Sequence, residues 1–329
     1  MNFKVILSSF AFLIVIFHFS FFIFHLDKAE ASALSLSINP SIIEIRALAP
    51  STATSAITIQ NQSDSEVNLK IELRPFKSKF ENGELEYLSQ SSTEYAESVP
   101  IFKNIQILDN GTPIESLILG PGQQKNLILN INILLAGGRA DYYFSIVFIS
   151  DNNSSPASSS SSNELGIASN ILLSVGAKEI PQAVINDFST GIFFEKGPVP
   201  FTLKVENKGT HFIKPKGEIL IKNMFGQSIG RLDLSGVNIL SDSARAIPNT
   251  LFLKTKSDLD FRNPKILWKE NFLLGFYTAT LTLSLSNEGP VFAKSIHFIA
   301  FPFQGMILIV IAAIAGVVIR NRLKAHMNK

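Results

Sequence analysis

Tyr277-Thr278-Ala279-Thr280-Leu281-Thr282-Leu283-Ser284-Leu285 alternates an apolar or aromatic residue with a hydroxyl residue at every step. Successive side chains of a β-strand point to opposite faces, so this stretch buries one face and wets the other. The same period of two recurs in Leu34-Ser35-Leu36-Ser37-Ile38, in Val67-Asn68-Leu69-Lys70-Ile71-Glu72-Leu73 and in Leu127-Ile128-Leu129-Asn130-Ile131-Asn132-Ile133. Between these runs stand Asn82-Gly83, Asn110-Gly111, Gly120-Pro121-Gly122, Gly137-Gly138 and Asn287-Glu288-Gly289, residues that supply the dihedrals of tight turns. Half-buried strands at this spacing predict an all-β chain of antiparallel sandwiches. One short helix is predicted near Ser92–Ser98, where Ser92 suits an N-cap and Glu94 and Glu97 suit the positive end of a helix dipole.

A boundary is predicted at Ala177–Gln182, where Lys178-Glu179-Ile180-Pro181 follows the apolar run Ile171–Val175 and a new alternation begins at Val184. It divides the interior into two immunoglobulin-like sandwiches, residues 34–178 and 182–300. The first holds a long excursion, Pro75–Pro100, and a serine-rich stretch at 152–163, which is expected to be a mobile loop because it has little apolar area to offset the entropy of ordering.

Outside the sandwiches the composition changes. Val5–Phe24 is nearly free of charge, follows Lys4, and precedes the small-residue pattern Ala29-Glu30-Ala31. Residues 1–33 therefore read as a signal peptide, with an uncleaved anchor as the alternative, since the run approaches the ~20 residues that span a bilayer. Phe298–Ile319 carries no charge, and its core, 301–319, is predicted to be a transmembrane helix. The tail 320–329 holds Arg320, Arg322, Lys324 and Lys329 and no acid, so the positive-inside bias places it in the cytoplasm and the sandwiches outside the cell membrane. The lipid bilayer is thus one expected partner, reached through the C-terminal helix. Zero cysteines exclude disulfides, thiol nucleophiles and cysteine zinc sites, and a net charge of +2 makes no case for nucleic acid.

Gly226-Gln227-Ser228-Ile229-Gly230 fits the hydrolase nucleophile elbow, with Asp233, Asp242 or Asp258 and then His297 in the expected chain order. An elbow needs a helix after the serine, whereas Arg231-Leu232-Asp233-Leu234-Ser235 alternates like a strand. A turn is the preferred reading, and a surface serine hydrolase using Ser228 is the less favoured enzyme alternative. The histidines do not cluster, and the pairs Glu84/Glu86 and Asp258/Asp260 read as solvated strand faces, so neither metal nor cofactor is expected. Trp268, Tyr142 and Tyr143 are the candidate partner-binding aromatics, with burial in the second sandwich the preferred reading for Trp268 and the same two readings open for Tyr142 and Tyr143.

Several stretches resemble one family of bacterial surface proteins. Leu36-Ser37-Ile38-Asn39-Pro40, Ile43-Glu44-Ile45 and Ile57-Thr58-Ile59-Gln60-Asn61-Gln62-Ser63 are similar to the opening of WxL-interacting proteins, and Gly137–Ile146 is a further local match to that family. In the second half, Val205-Glu206-Asn207-Lys208-Gly209-Thr210, Pro215-Lys216-Gly217 and Gly275-Phe276-Tyr277 look like that family's membrane-proximal domain. The resemblance implies a signal peptide, two immunoglobulin-like domains, one transmembrane helix and a basic tail. It further implies a non-catalytic, membrane-anchored scaffold that engages the cell-wall polymer or a secreted surface protein. The alternative in the binding class is a pilus-type assembly chaperone or adhesin subunit lending an edge strand to a secreted partner.

Overall fold

The computed structural model describes residues 34–134, 140–150, 165–177, 179–249, 264–286 and 289–327. The predicted signal segment 1–33, the serine-rich stretch 152–163, Gly137-Gly138, Asp258, Asp260 and Asn287-Glu288 lie outside the described residues.

The first sandwich is built from β1 (Leu36–Asn39), β2 (Ile42–Ala47), β3 (Ser51–Asn61), β4 (Val67–Ser78), β5 (Leu85–Tyr87), β6 (Ile105–Asp109), β7 (Thr112–Pro113), β8 (Ser116–Leu119), β9 (Gln124–Ile133), β10 (Asp141–Ser150) and β11 (Gly166–Val175). One sheet runs β1-β3-β9-β6-β7; the other runs β2-β11-β10-β4, with β5 and β8 both pairing to β4. The alternation in β9 works as the sequence predicts, with Leu127, Leu129, Ile131 and Ile133 buried between the sheets. They meet Phe144, Ile146 and Phe148 of β10, and each fully buried phenylalanine contributes about 2 kcal/mol. The predicted helix forms as α1 (Thr93–Phe102), capped by Ser92, whose Oγ accepts the Tyr95 N–H at 3.1 Å.

The second sandwich follows the same plan with β12 (Ala183–Thr190), β13 (Phe193–Phe194), β14 (Val199–Asn207), β15 (Lys216–Asn223), β16 (Ser228–Asp233), β17 (Ala244–Ala246), β18 (Ile266–Trp268), β19 (Gly275–Ser284) and β20 (Val291–Ala300). Its sheets run β12-β14-β17, with β18 also on β14, and β13-β20-β19-β15-β16. Tyr277, Ala279, Leu281 and Leu283 of β19 face the core as their spacing requires. Each sandwich opens with a segment that changes sheets: β1 is antiparallel to β3 while β2 is parallel to β11, and β12 is antiparallel to β14 while β13 is parallel to β20.

A buried asparagine ends the second strand of each sandwich's opening sheet. Asn61 Nδ2 lies 2.7 to 3.1 Å from the carbonyls of Ser65, Leu119 and Gly120, and its Oδ1 accepts the Ser63 N–H. Asn207 Nδ2 lies 2.8 to 3.1 Å from the carbonyls of His211, Ile239 and Leu240, and its Oδ1 accepts the Gly209 N–H. Both side chains tie together carbonyls from separate loops, adding a donor to each. After β20 the chain enters α2 (Phe303–Met327), whose stretch Phe303–Asn321 is long and apolar enough to cross a hydrocarbon core.

Candidate binding surfaces at the domain junction and on the last strand

The two sandwiches are locked by an acid. Asp141 heads the apolar strand β10 and is almost wholly buried, which requires partners for its carboxylate. It accepts from Tyr143 Oη at 2.5 Å and Ser174 Oγ at 2.7 Å within its own sandwich. From the other sandwich it accepts the Phe212 N–H at 2.6 Å, and His211 Nδ1 stands 2.7 Å away. Tyr143 Oη in turn accepts the Ser241 N–H at 3.0 Å. Burial, then the neighbouring Asp141 charge, pushes the Tyr143 phenol well above its ordinary value, so it stays a proton donor to Asp141. Around this network Phe76, Tyr143 and Leu172 pack against Phe212 and Leu240.

Further contacts flank the lock. Glu44 accepts from Lys214 Nζ at 2.7 Å and Asn238 Nδ2 at 2.8 Å. Burial alone would raise the Glu44 pKa, but those hydrogen bonds and the Lys214 and Arg46 charges outweigh it and hold the carboxyl below its usual 4.5. Arg46 donates to the Phe212 carbonyl at 3.2 Å and lies 5.0 Å over the Phe212 ring. The segment between β4 and β5 reaches across as well, with the Ala246 N–H donating to the Glu81 carbonyl at 2.6 Å and Lys204 paired with the Glu81 carboxylate. Beside it opens a cleft of about 730 Å³ lined by Lys79, Phe80, Glu81, Glu84, Asp242 and Ser243.

A different kind of surface runs along β20. In the first sandwich, β2 pairs with Asn170–Val175 and covers most of the outer edge of β11. In the second, β13 pairs only with Ile299 and Ala300. The Ile299 N–H donates to the Ile192 carbonyl at 2.9 Å and the Phe301 N–H to the Phe194 carbonyl at 3.0 Å. Backbone groups alternate along a strand, so the amides of Ala293, Ser295 and His297 face the same way, with no strand beside them among the described residues. Lys294 falls in register with the inward-facing Phe292 and Ile296 yet is exposed. An inward-facing charge on an edge strand discourages edge-to-edge aggregation.

The sequence-predicted residues are dispersed. Trp268 is buried in the second core, 5.8 Å from Tyr277 and 6.3 Å from Phe298 between ring centroids, so it is not presented to a partner. Tyr143 belongs to the junction, and Tyr142 is half-buried against the first core. Neither offers the exposed aromatic surface expected of it. Ser228 begins β16 and no helix follows it. Ser228, Lys222, Thr278 and His297 stand in one row across the sheet, which puts His297 three strands, roughly 14 Å, from Ser228. His297 Nδ1 is instead 3.0 Å from Thr278 Oγ1. Arg320 is exposed on α2, and Arg322 and Lys324 lie further along the same helix. Sequence reasoning missed Asp141, His211 and Phe212. The legible signal was an acid at the head of the nearly unbroken apolar run Tyr142–Ile149.

No protein-family model and no curated protein matches the chain. Among solved structures it is similar to the class 5 fimbrial chaperone CfaA, at 11% identity and a TM-score of 0.36, covering 80% of this chain and 99% of that one. It is similar to the Escherichia coli chaperone DraB at 11% identity and a TM-score of 0.33, covering 80% and 99%. The Salmonella enterica SafA pilin–SafB chaperone complex gives 11%, a TM-score of 0.34, and 80% and 97%. The sandwich assignment rests on sheet order and register rather than on these distant overlaps. The resemblance to WxL-interacting proteins finds no counterpart among them.

Proposed function

We propose that this chain is a membrane-anchored, non-catalytic protein that binds a secreted protein partner by strand addition, in the manner of an assembly chaperone or an adhesin-holding subunit. Of the two binding roles expected from the sequence, strand lending is favoured over a cell-wall scaffold by one observation. Among the described residues no strand pairs with the outer edge of β20 from Val291 to Phe298, where the amides of Ala293, Ser295 and His297 face outward. A strand laid there gains main-chain hydrogen bonds along its length, and a carboxylate on it would meet Lys294. The junction lock holds the two sandwiches as one body, so the edge is presented in a fixed direction. The non-catalytic reading is supported by the distance of Ser228 from His297, three strands across the sheet. Helix α2 supplies the anchor, with Arg320, Arg322 and Lys324 on the cytoplasmic side.

Ser295→Pro tests this reading, because proline deletes an edge amide that serves no internal ladder and blocks an incoming strand. The full chain in detergent is incubated with the secreted proteins of its own cells, and bound partner is followed together with hydrogen exchange at Ala293, Ser295 and His297. The expected outcome is slowed exchange at these amides on binding and loss of the partner in Ser295→Pro with its melting unchanged. Retention of the partner at wild-type level by Ser295→Pro would sink the edge assignment.

A further inference from the structure

The outer face of the β13-β20-β19-β15-β16 sheet changes character along its length. Far from α2 it is polar: Thr280 Oγ1 and Ser295 Oγ are 2.9 Å apart, and Thr278 meets His297 at 3.0 Å. At the rung next to α2 it turns apolar, with Phe276 opposite Ile299 and Ile299 opposite Phe193. Three loops at this same end also carry exposed apolar side chains. Ile192 is 80% exposed, Phe225 78% and Phe272 66%, beside Phe276 at 59%. The register places them together, since Asn223, before the Phe225 turn, pairs with Tyr277, and Gly275 pairs with Ala300.

Such a patch on a soluble protein would be costly, and four large side chains from three loops and a strand end are not needed for any internal contact. What lies beside them is given by the chain itself. Phe303 opens α2 with its ring centroid 5.5 Å from that of Phe193 and the planes tilted by 35°, and the Gln304 N–H donates to Glu195 Oε1 at 2.8 Å, so the start of the apolar helix is tied to this end of the sandwich. Exposed Lys196, Lys222 and Lys269 stand within a few residues of the patch, and long cationic side chains at the rim of an apolar patch suit contact with lipid phosphates.

We infer that the second sandwich rests on the bilayer surface, with Phe225, Phe272 and Phe276 in the boundary between headgroups and acyl chains and Lys196, Lys222 and Lys269 at the phosphates. This rests on the proposed spanning role of α2 and goes beyond it: Phe303 and Gln304 tie the helix to one corner of the sandwich, and seating the patch on the bilayer adds a second support that fixes the height and direction of the β20 edge.

The absence of cysteine allows single nitroxide labels on the full chain. Labels at Phe225→Cys, Phe272→Cys, Ile311→Cys and Thr112→Cys are reconstituted in vesicles of phosphatidylcholine and phosphatidylglycerol, and collisions with oxygen and with a water-soluble nickel chelate are compared. The first two sites are strongly exposed, so labelling leaves the fold intact. Expected is an oxygen-to-nickel ratio several-fold higher at 225 and 272 than at 112, and highest at 311. Ratios at 225 and 272 equal to that at 112, with 311 in the hydrocarbon, would overturn the seating and leave the anchor standing. A water-exposed label at 311 would overturn both.

Discussion

The two sandwiches share a strand plan and differ in how each protects its last strand. In both, a switching segment runs parallel to that strand, and an asparagine closes the loops at one pole. In the first, β2 covers β11 from Asn170 to Val175, and β11 carries no charged residue from Gly166 to Val175. In the second, β13 covers only two residues of β20, and that strand carries Lys294 and His297. A covered strand can be wholly uncharged; an open one needs a guard. Cover and composition thus change together between the two halves, and it is on this difference that the proposed strand addition at β20 rests.

The largest expected effect breaks the bolt between the halves. Asp141→Ala leaves Tyr143 Oη, Ser174 Oγ, the Phe212 N–H and His211 Nδ1 without their common acceptor, which should cost about 4 kcal/mol. Calorimetry of the full chain in detergent is expected to show one transition in the wild type and two in the variant, as the sandwiches melt separately. A single, merely lowered transition would mean that the remaining contacts suffice to couple them.

The asparagines sharpen the comparison. Asn61→Ala and Asn207→Ala each strip partners from buried loop carbonyls and should each cost about 2 to 3 kcal/mol. Made in the Asp141→Ala background, each is expected to lower only its own sandwich's transition. Equal shifts would establish the two asparagines as equivalent devices; a much smaller shift for Asn61 would show that the loop it ties is held by other means.

These elements also divide what the sequence discloses from what it hides. The strands β9 and β19 were legible because burial on one face writes a period of two into the residues themselves. Ser92 as a helix cap was legible because the cap is a local hydrogen bond. The repeated segments ending in Asn61 and Asn207 were visible as motifs, but not their role, since the carbonyls they reach are 58 and 32 residues away at Leu119 and Ile239. The junction was hidden for the same reason: Asp141 meets Phe212 across 71 residues, and nothing near either announces the other. Trp268 was legible as core but not decisively so, because an aromatic's type says that it buries area and leaves open whether a core or a partner covers it. Open edges are hardest to read, because β11 and β20 differ less in their own residues than in what lies alongside.

A smaller effect tests the guard itself. Lys294→Ile removes the inward charge from an open edge while adding apolar area, so the variant should associate with itself at concentrations where the wild type stays monomeric in detergent, as read by sedimentation. Lys294→Arg is expected to behave as wild type. Self-association of neither variant would show that curvature or the membrane, rather than charge, shields β20.

The smallest effect concerns acid at the junction. Glu44 has its pKa lowered in the folded chain, because the hydrogen bonds and charges of Lys214, Asn238 and Arg46 overcome the contrary effect of burial. A depressed carboxylate stabilises the fold fully above the unfolded value of 4.5 and loses that contribution as pH falls through the lower folded value. The side chain is 35% exposed, so solvent screening holds the contribution to under about 1 kcal/mol. Other acids titrate in the same range, and the informative quantity is therefore the difference between wild type and Glu44→Gln. The amide of that variant can still accept from Asn238 but offers Lys214 no charge. The wild type's advantage in melting temperature should be present near pH 6 and shrink toward zero near pH 3. An advantage that persists unchanged to pH 3 would mean that Glu44 acts through packing rather than charge, leaving Asp141 and the aromatic cluster to hold the two sandwiches in line.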